Sequence, residues 1–328
     1  MNTCFLFDET LPACALELLD TEPLKRIGRI DMNCGMNYTS VIPFAKMEPY
    51  TRLSHSIGVS MILWHYTRDE KQMLAGLVHD IAAPAFSHVI DFMHGDHTAQ
   101  EYTEGPTYRI IHESPEMQDV LKQHGFRTED ITPDDQYPLA NSNGHVICAD
   151  RLEYTLGNAM NYGYADKDRI CWIMSGLAAG FNEHDVPEFV FQHRQQADAF
   201  AWLALQCGRT YSCDADRYGM ERLAVLLKKA VKQGILCEAD LMKDEPHVIQ
   251  KLLDSSLKEE WLSFRRMKDV VRLDVYEEGA LKADAKKRYI DPYAIGQGRV
   301  SAWDDSFHQA LHEFEEQSYD VWLKGICL

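Results

Sequence analysis

Three apolar stretches with helical spacing each carry a side chain able to bind a metal ion. A chain that must bring them together is committed to a helical body. The first stretch predicts a helix from near Arg52 to about Tyr66, carrying His55, with Ile57, Met61, Ile62 and Trp64 among its buried positions. The second predicts a helix from near Asp69 through Met73, Leu74, Leu77 and Val78, ending around Ile81 because Pro84 disfavours the helical region for Ala83. His79 and Asp80 fall at that end. Neighbours within a regular helix point about 100° apart, whereas at a flank near the helix end both can turn to one ion. The third stretch, residues 145–152, reads as another apolar helical run and contains Asp150. Imidazole nitrogen with carboxylate oxygen suits one divalent ion such as Mn, Fe, Ni, Zn or Mg. Four protein donors leave octahedral positions for water or phosphate, the arrangement of a catalytic rather than a structural ion. Taken residue by residue, a plainer account stands beside this one. The four are unrelated polar residues at helix ends, in a chain with 14 histidines and a second His-Asp pair, His184-Asp185.

The remaining pattern is also mostly helical. Leu18, Leu19, Leu24, Ile27 and Ile30 space out as one or two short helices, with Thr21 as a cap and Pro23 in the first turn. Residues 32–48 read as loop or short hairpin, and 125–143 as a polar connector. Helical patterns run from Ile170 to Leu177, Gln195 to Leu205 and Met220 to Val231. Lys268 to Tyr276 alternates like a strand, a second strand is expected near Tyr289, and Asp304 to Leu323 returns to helix. The fold class expected is mainly α with a small α+β C-terminal appendage. The expected division is a helical catalytic unit over 1–255, with its core motifs at 50–165, and the appendage over 256–328.

Composition narrows the role. A chain of 328 residues buries a large core and sits at the upper edge of one domain. A formal charge of −18 argues against coating a nucleic-acid duplex, which needs clustered Lys and Arg, but leaves room for a small basic pocket. Nine cysteines, an odd number with no CxxC pair, read as reduced thiols and imply a cytoplasmic setting. Asp8 and Glu9 follow the opening Met1-Asn2-Thr3-Cys4 and do not suit a signal peptide, and no apolar run reaches transmembrane length, so no membrane partner is expected.

The flanks of the candidate ligands are more specific than the ligands. Thr51–Val59, then Ala75–Ile81 around His79-Asp80, resembles the HD superfamily of metal-dependent phosphohydrolases. Pro84-Ala85-Phe86-Ser87-His88 and Asp150-Arg151-Leu152-Glu153-Tyr154 bring the resemblance nearest the branch of the deoxynucleoside triphosphate triphosphohydrolases. Pro23–Ile27, Tyr38–Pro43, Gly208–Tyr211 and Lys286–Pro292 fit the same branch. The resemblance implies an HD-domain helical fold and one divalent ion on His55, His79, Asp80 and Asp150. It implies catalytic positions at His88 and His97, with Asp91 orienting one of them, against the alternative of a polar loop with incidental histidines. Arg52, Arg151, Tyr154, Arg209 and Tyr211 become candidates for holding phosphate or sugar, against salt bridges and core packing.

Two departures qualify the implication. Ala83 stands where the triphosphohydrolases carry a pocket imidazole, and Asn158 stands where they often carry a sugar-reading Asp. The expected function is therefore hydrolysis of a small phosphorylated substrate, a nucleotide among the candidates, by metal-activated water. Two alternatives stay open: a non-catalytic metal- or nucleotide-binding regulatory protein, and a binuclear phosphodiesterase with His88 and His97 on a second ion. A homo-oligomer is equally open.

Overall fold

The computed structural model describes residues 6–98, 106–142 and 144–327. Two short helices, α1 (Ala13–Leu18) and α2 (Glu22–Ile27), precede an irregular segment that leads into α3 (Arg52–Thr67). The start of α3 is fixed by a reciprocal cap. The Thr51 hydroxyl accepts from the Ser54 amide while the Ser54 hydroxyl accepts from the Thr51 amide. Asp69 caps α4 (Glu70–Val78) through the amides of Lys71 and Gln72. Then come α5 (Val89–His94), α6 (Thr107–Glu113), α7 (Pro115–Gln123), α8 (Ala149–Asn161) and α9 (Lys167–Met174). A hairpin of β1 (Leu177–Phe181) and β2 (Pro187–Phe191) leads to the long helices α10 (Arg194–Tyr211) and α11 (Asp214–Lys232). The chain continues through α12 (Glu238–Leu241), α13 (Glu245–Leu253), α14 (Lys258–Arg265) and β3 (Met267–Leu273). It closes with β4 (Tyr293–Ala294), β5 (Gly298–Arg299), α15 (Asp305–Glu316) and β6 (Trp322–Cys327). The architecture is mainly helical with a small C-terminal α+β region.

Helix α3 is the central element, packed against both α4 and α8. It approaches α8 closely because position 58 has no side chain: a Cβ on Gly58 would lie 2.5 Å from the Glu153 carboxylate. One apolar cluster gathers around Ile62, Leu77, Leu152, Phe189 and Phe200, and a second around Phe86, Phe92, Leu223 and Trp261. The segment after α4 runs from the first cluster, at Ile81, into the second, at Ala85 and Phe86.

Several local expectations differ from the structure. Helix α4 stops at Val78, three residues before Ile81, so His79 and Asp80 lie in the turn beyond it. Residues 145–148 are not helical, because their backbone is taken by distant partners. The His145 carbonyl accepts from Asp291, the Ile147 carbonyl accepts from Phe189, and the Ile147 amide donates to Glu188. Leu177, expected at a helix end, begins β1, which pairs antiparallel with β2 from Leu177–Phe191 to Phe181–Pro187. Pairing overrides the helix-compatible run Ala178-Ala179-Gly180. Tyr289, expected near a second strand, is irregular, and the short β4 that follows at Tyr293–Ala294 pairs in parallel with β2. The last helix ends at Glu316, and Leu323 belongs to β6, the antiparallel partner of β3. No helix among the described residues is long and apolar enough to cross a membrane. The described cysteines are free thiols, and Cys4 lies outside the described residues.

Candidate metal centre

Three helix ends meet at one point. His55 comes from the first turn of α3, His79 and Asp80 from the turn after α4, and Asp150 from the first turn of α8. The inward donor atoms of His55, His79 and Asp80 lie 3.2, 3.6 and 3.9 Å apart, spans that one ion with bonds of about 2.0–2.2 Å bridges. The Asp150 carboxylate completes the group, 3.0 Å from His55 Nε2 and 3.6 Å from His79 Nε2. Asp80 lies 3.6 Å from His79 Nε2 and 3.9 Å from His55 Nε2. His55 is buried, while the carboxylates of Asp80 and Asp150 keep 19% and 26% exposure, so the open side of the cluster is the carboxylate side.

The outer contacts fix which imidazole nitrogen points inward. His55 Nδ1 lies 2.5 Å from Glu153, whose carboxylate also accepts from the Tyr50 hydroxyl. His79 Nδ1 lies 2.8 Å from the Gly76 carbonyl. Both acceptors require a proton on Nδ1, which leaves the Nε2 atoms as the inward lone pairs. Those two nitrogens are 3.2 Å apart, a repulsive approach unless something positive lies between them. Without an ion, the same carboxylates favour protons on those nitrogens. Burial lowers the affinity of both imidazoles for protons, but the carboxylates outweigh it and push His79 up to about 10 and His55 upward. Burial raises Asp80 and Asp150, yet Arg52 and the imidazoles hold Asp80, and the imidazoles Asp150, well below the usual carboxylate range. The donor set fits a divalent cation.

The other sequence candidates divide. Arg52 is buried, with Nη1 2.7 Å from Asp80 and Nε 3.0 Å from the Ser87 hydroxyl. Phe86 and Ser87 both have left-handed backbone, φ of 62° and 51°, a strained pair that turns the chain into His88. His88 Nδ1 lies 2.9 Å from the buried Asp91 carboxylate, and its Nε2 is 3.3 Å from Arg288 Nη2. Burial, with Arg288 and Arg52 close by, lowers the His88 pKa against the pull of Asp91, so the imidazole is neutral near neutral pH. His97 pairs with Glu221 at 2.8 Å and lines a surface depression with Lys282, Asp284 and Lys287. Arg151 donates to the carbonyls of Gly144 and Val146. Tyr154 packs edge-on to Tyr211, whose hydroxyl accepts from Asn158. Arg209 is exposed and donates to the Ala310 carbonyl on α15, with no contact to the cluster among the described residues. Ala83 is buried, its carbonyl taken by Arg26.

Sequence reasoning did not single out Glu153, Tyr50 or Arg288. Glu153 carried a readable signal: it follows Asp150 by three residues and shares its helix face. Arg288 sits 200 residues from its partner His88, and local pattern does not report such a pairing.

No family model matches the chain. It is 28% identical over 291 residues to the uncharacterized protein YdhJ of Bacillus subtilis (strain 168), covering 85% of this chain and 84% of that protein. It is 26% identical over 169 residues to the metal-dependent phosphohydrolase cns2 of Cordyceps militaris, covering 50% of this chain and 46% of that protein. Two solved structures share its fold. A hypothetical protein from Aquifex aeolicus has a TM-score of 0.60 at 18% identity, covering 95% of this chain and 92% of its own. A phosphohydrolase from Bacteroides thetaiotaomicron VPI-5482 has a TM-score of 0.65 at 14% identity, covering 95% of both chains. Sequence and fold thus link the chain to metal-dependent phosphohydrolases of the HD-like superfamily.

Proposed function

We propose that the protein is a hydrolase of small phosphorylated compounds that works with one divalent ion on His55, His79, Asp80 and Asp150. The observation that supports it best is the pair of imidazoles whose Nδ1 protons are held outward while both Nε2 atoms face two carboxylates. When bound, an ion such as Mn, Fe, Ni, Zn or Mg supplies Lewis acidity to a phosphoryl oxygen and to the attacking water. Arg52 keeps the Asp80 carboxylate in place. Asp91 holds the Nδ1 proton of His88, and its Nε2 accepts from Arg288 in this structure, so once that guanidinium turns to a substrate His88 suits a base better than the acid expected from its position. His97 keeps the proposed donor role, oriented by Glu221.

The finer reading is a cytoplasmic enzyme of the triphosphohydrolase-like branch with an altered substrate pocket. Nucleotides are then one candidate among phosphate monoesters and diesters, because Ala83 and Asn158 cannot do the work of an imidazole and a carboxylate. Ala83 also motivates a second reading, a regulatory protein that binds the ion without turnover. The two-ion alternative gains nothing, since a guanidinium lies against the His88 nitrogen that would have to bind the second ion. The deciding experiment is metal analysis of the purified protein, followed by a phosphate-release screen over nucleotides, simple monoesters and diesters. We expect about one ion per chain and turnover that chelation removes and Mn restores. Bound metal without turnover across the screen would transfer the lead to the regulatory reading, and a protein that takes up no divalent ion would end both.

A further inference from the structure

A phosphate held beside the ion needs a cation, and the sequence offers Arg52 and Arg151. Both are committed elsewhere. Arg52 spends its guanidinium on Asp80 and Ser87, and Arg151 donates to the carbonyls of Gly144 and Val146 ahead of α8. They brace the ligand framework. A third guanidinium comes from the C-terminal region, with Arg288 Nη2 3.3 Å from His88 Nε2.

The segment bearing Arg288 is built into place. Its backbone sits in a notch on α10, where a Cβ on Gly208 would lie 2.1 Å from the Arg288 carbonyl oxygen, a contact no flexible side chain could relieve. Tyr289 stacks on His145 at 3.7 Å and 10°, Ile290 is buried, and the Asp291 amide donates to the His145 carbonyl at 3.1 Å. The segment therefore rests on the same stretch, 145–148, that delivers Asp150. Behind it the Arg299 guanidinium pairs with both oxygens of the buried Glu188 at 2.7 and 2.8 Å, and Glu188 accepts from the Ile147 amide at 3.0 Å. Position 288 is thus held between α10 and the stretch that leads into α8.

Resting on the phosphohydrolase reading, we propose that Arg288 is the residue that grips the substrate phosphate beside the ion. A planar guanidinium can meet two phosphate oxygens at once, and its position at His88 Nε2 puts it next to the group that would take the proton of the attacking water.

The test uses the full-length protein loaded with Mn and inorganic phosphate as the probe, with binding followed by calorimetry and metal content by elemental analysis. Arg288→Ala is expected to weaken phosphate binding about 10- to 100-fold at unchanged Mn content. Arg288→Lys, which keeps the charge and loses the fork, should recover part of that loss. An Arg288→Ala protein that melts like the wild type, carries its ion and binds phosphate equally well overturns the proposal, as does lost turnover with unchanged phosphate affinity. Should Arg288→Ala fold poorly, the Arg288→Lys variant decides alone, and equal affinity there overturns the bidentate grip. A wild-type protein that binds Mn but neither binds phosphate nor turns over any ester sinks the underlying reading as well.

Discussion

Two acidic regions lie near Arg52, and they treat buried charge in opposite ways. At the candidate metal cluster, Asp80 and Asp150 stay ionised because Arg52 and two imidazoles outweigh the cost of burial. A short way off, Glu245 is buried with its oxygens accepting from the Asp31 amide at 3.1 Å and the Tyr38 hydroxyl at 2.7 Å. There burial dominates, neighbouring Asp31 adds repulsion, and the carboxyl is pushed up to about 8. Asp31 is raised for the same first reason, its bonds from Asn33 and the charge of Arg52 notwithstanding. The contrast teaches what the cluster is for. A fold that only needed to bury acids could let them keep their protons, as at Glu245. The candidate metal cluster instead sets Arg52 and two imidazole Nε2 atoms against its carboxylates, and those nitrogens can be taken by a proton or by a metal ion, an arrangement that suits a metal ion.

The largest effect should come from breaking the charged region. Asp80→Ala removes a donor and the anchor of Arg52 together. It should empty the site and lower turnover by about 10³-fold or more, while the fold persists apart from any metal-linked stability. Elemental analysis showing full occupancy in that variant would remove Asp80 from the ligand set. A smaller loss is expected one layer out. Glu153→Gln keeps the shape but weakens the hold on the His55 Nδ1 proton, and metal affinity should drop about 10- to 100-fold. Competition of the loaded protein against a chelator measures this, and unchanged affinity would make Glu153 a packing residue.

The charged region was largely legible in the sequence and the neutral one was not. His55 and the pair His79-Asp80 lie near helix ends that the apolar stripe and Pro84 mark to within a few residues, whereas the start of α8 at Ala149 fell inside the run from His145 expected to be helical. The start of α3 at Arg52 follows from an apolar stripe. What escaped depends on distant partners. The hairpin from Leu177 to Phe191 has a strand of helix-compatible residues and is decided by pairing. Arg288 reaches His88 across 200 residues, and Glu245 meets Tyr38 across 207. In a chain with 51 acidic residues, a carboxylate that will be buried and protonated looks like any other on a helix.

The last and smallest prediction concerns that protonated carboxyl. Glu245 carries a folded-state pKa of about 8 against an ordinary value of 4.5, so the folded protein holds a proton that the unfolded chain has released across that window. The slope of unfolding free energy with pH follows protons bound in the unfolded state minus those bound in the folded state, and here it is negative. The stabilising share of Glu245 is therefore complete below about pH 4.5 and is lost as pH rises toward 8. Asp31, raised in the same direction, adds to the trend. Glu245→Gln keeps the shape without the titrating proton, so its stability should fall less steeply between pH 5 and 8 than that of the wild type. Denaturant melts of metal-free protein at several pH values supply the comparison, because the raised imidazoles of His79 and His55 add a slope of the same sign to both proteins and cancel in the difference. Identical slopes for the two proteins would mean that Glu245 is ionised in the fold, and the contrast between the two acidic regions would then rest on the imidazoles alone.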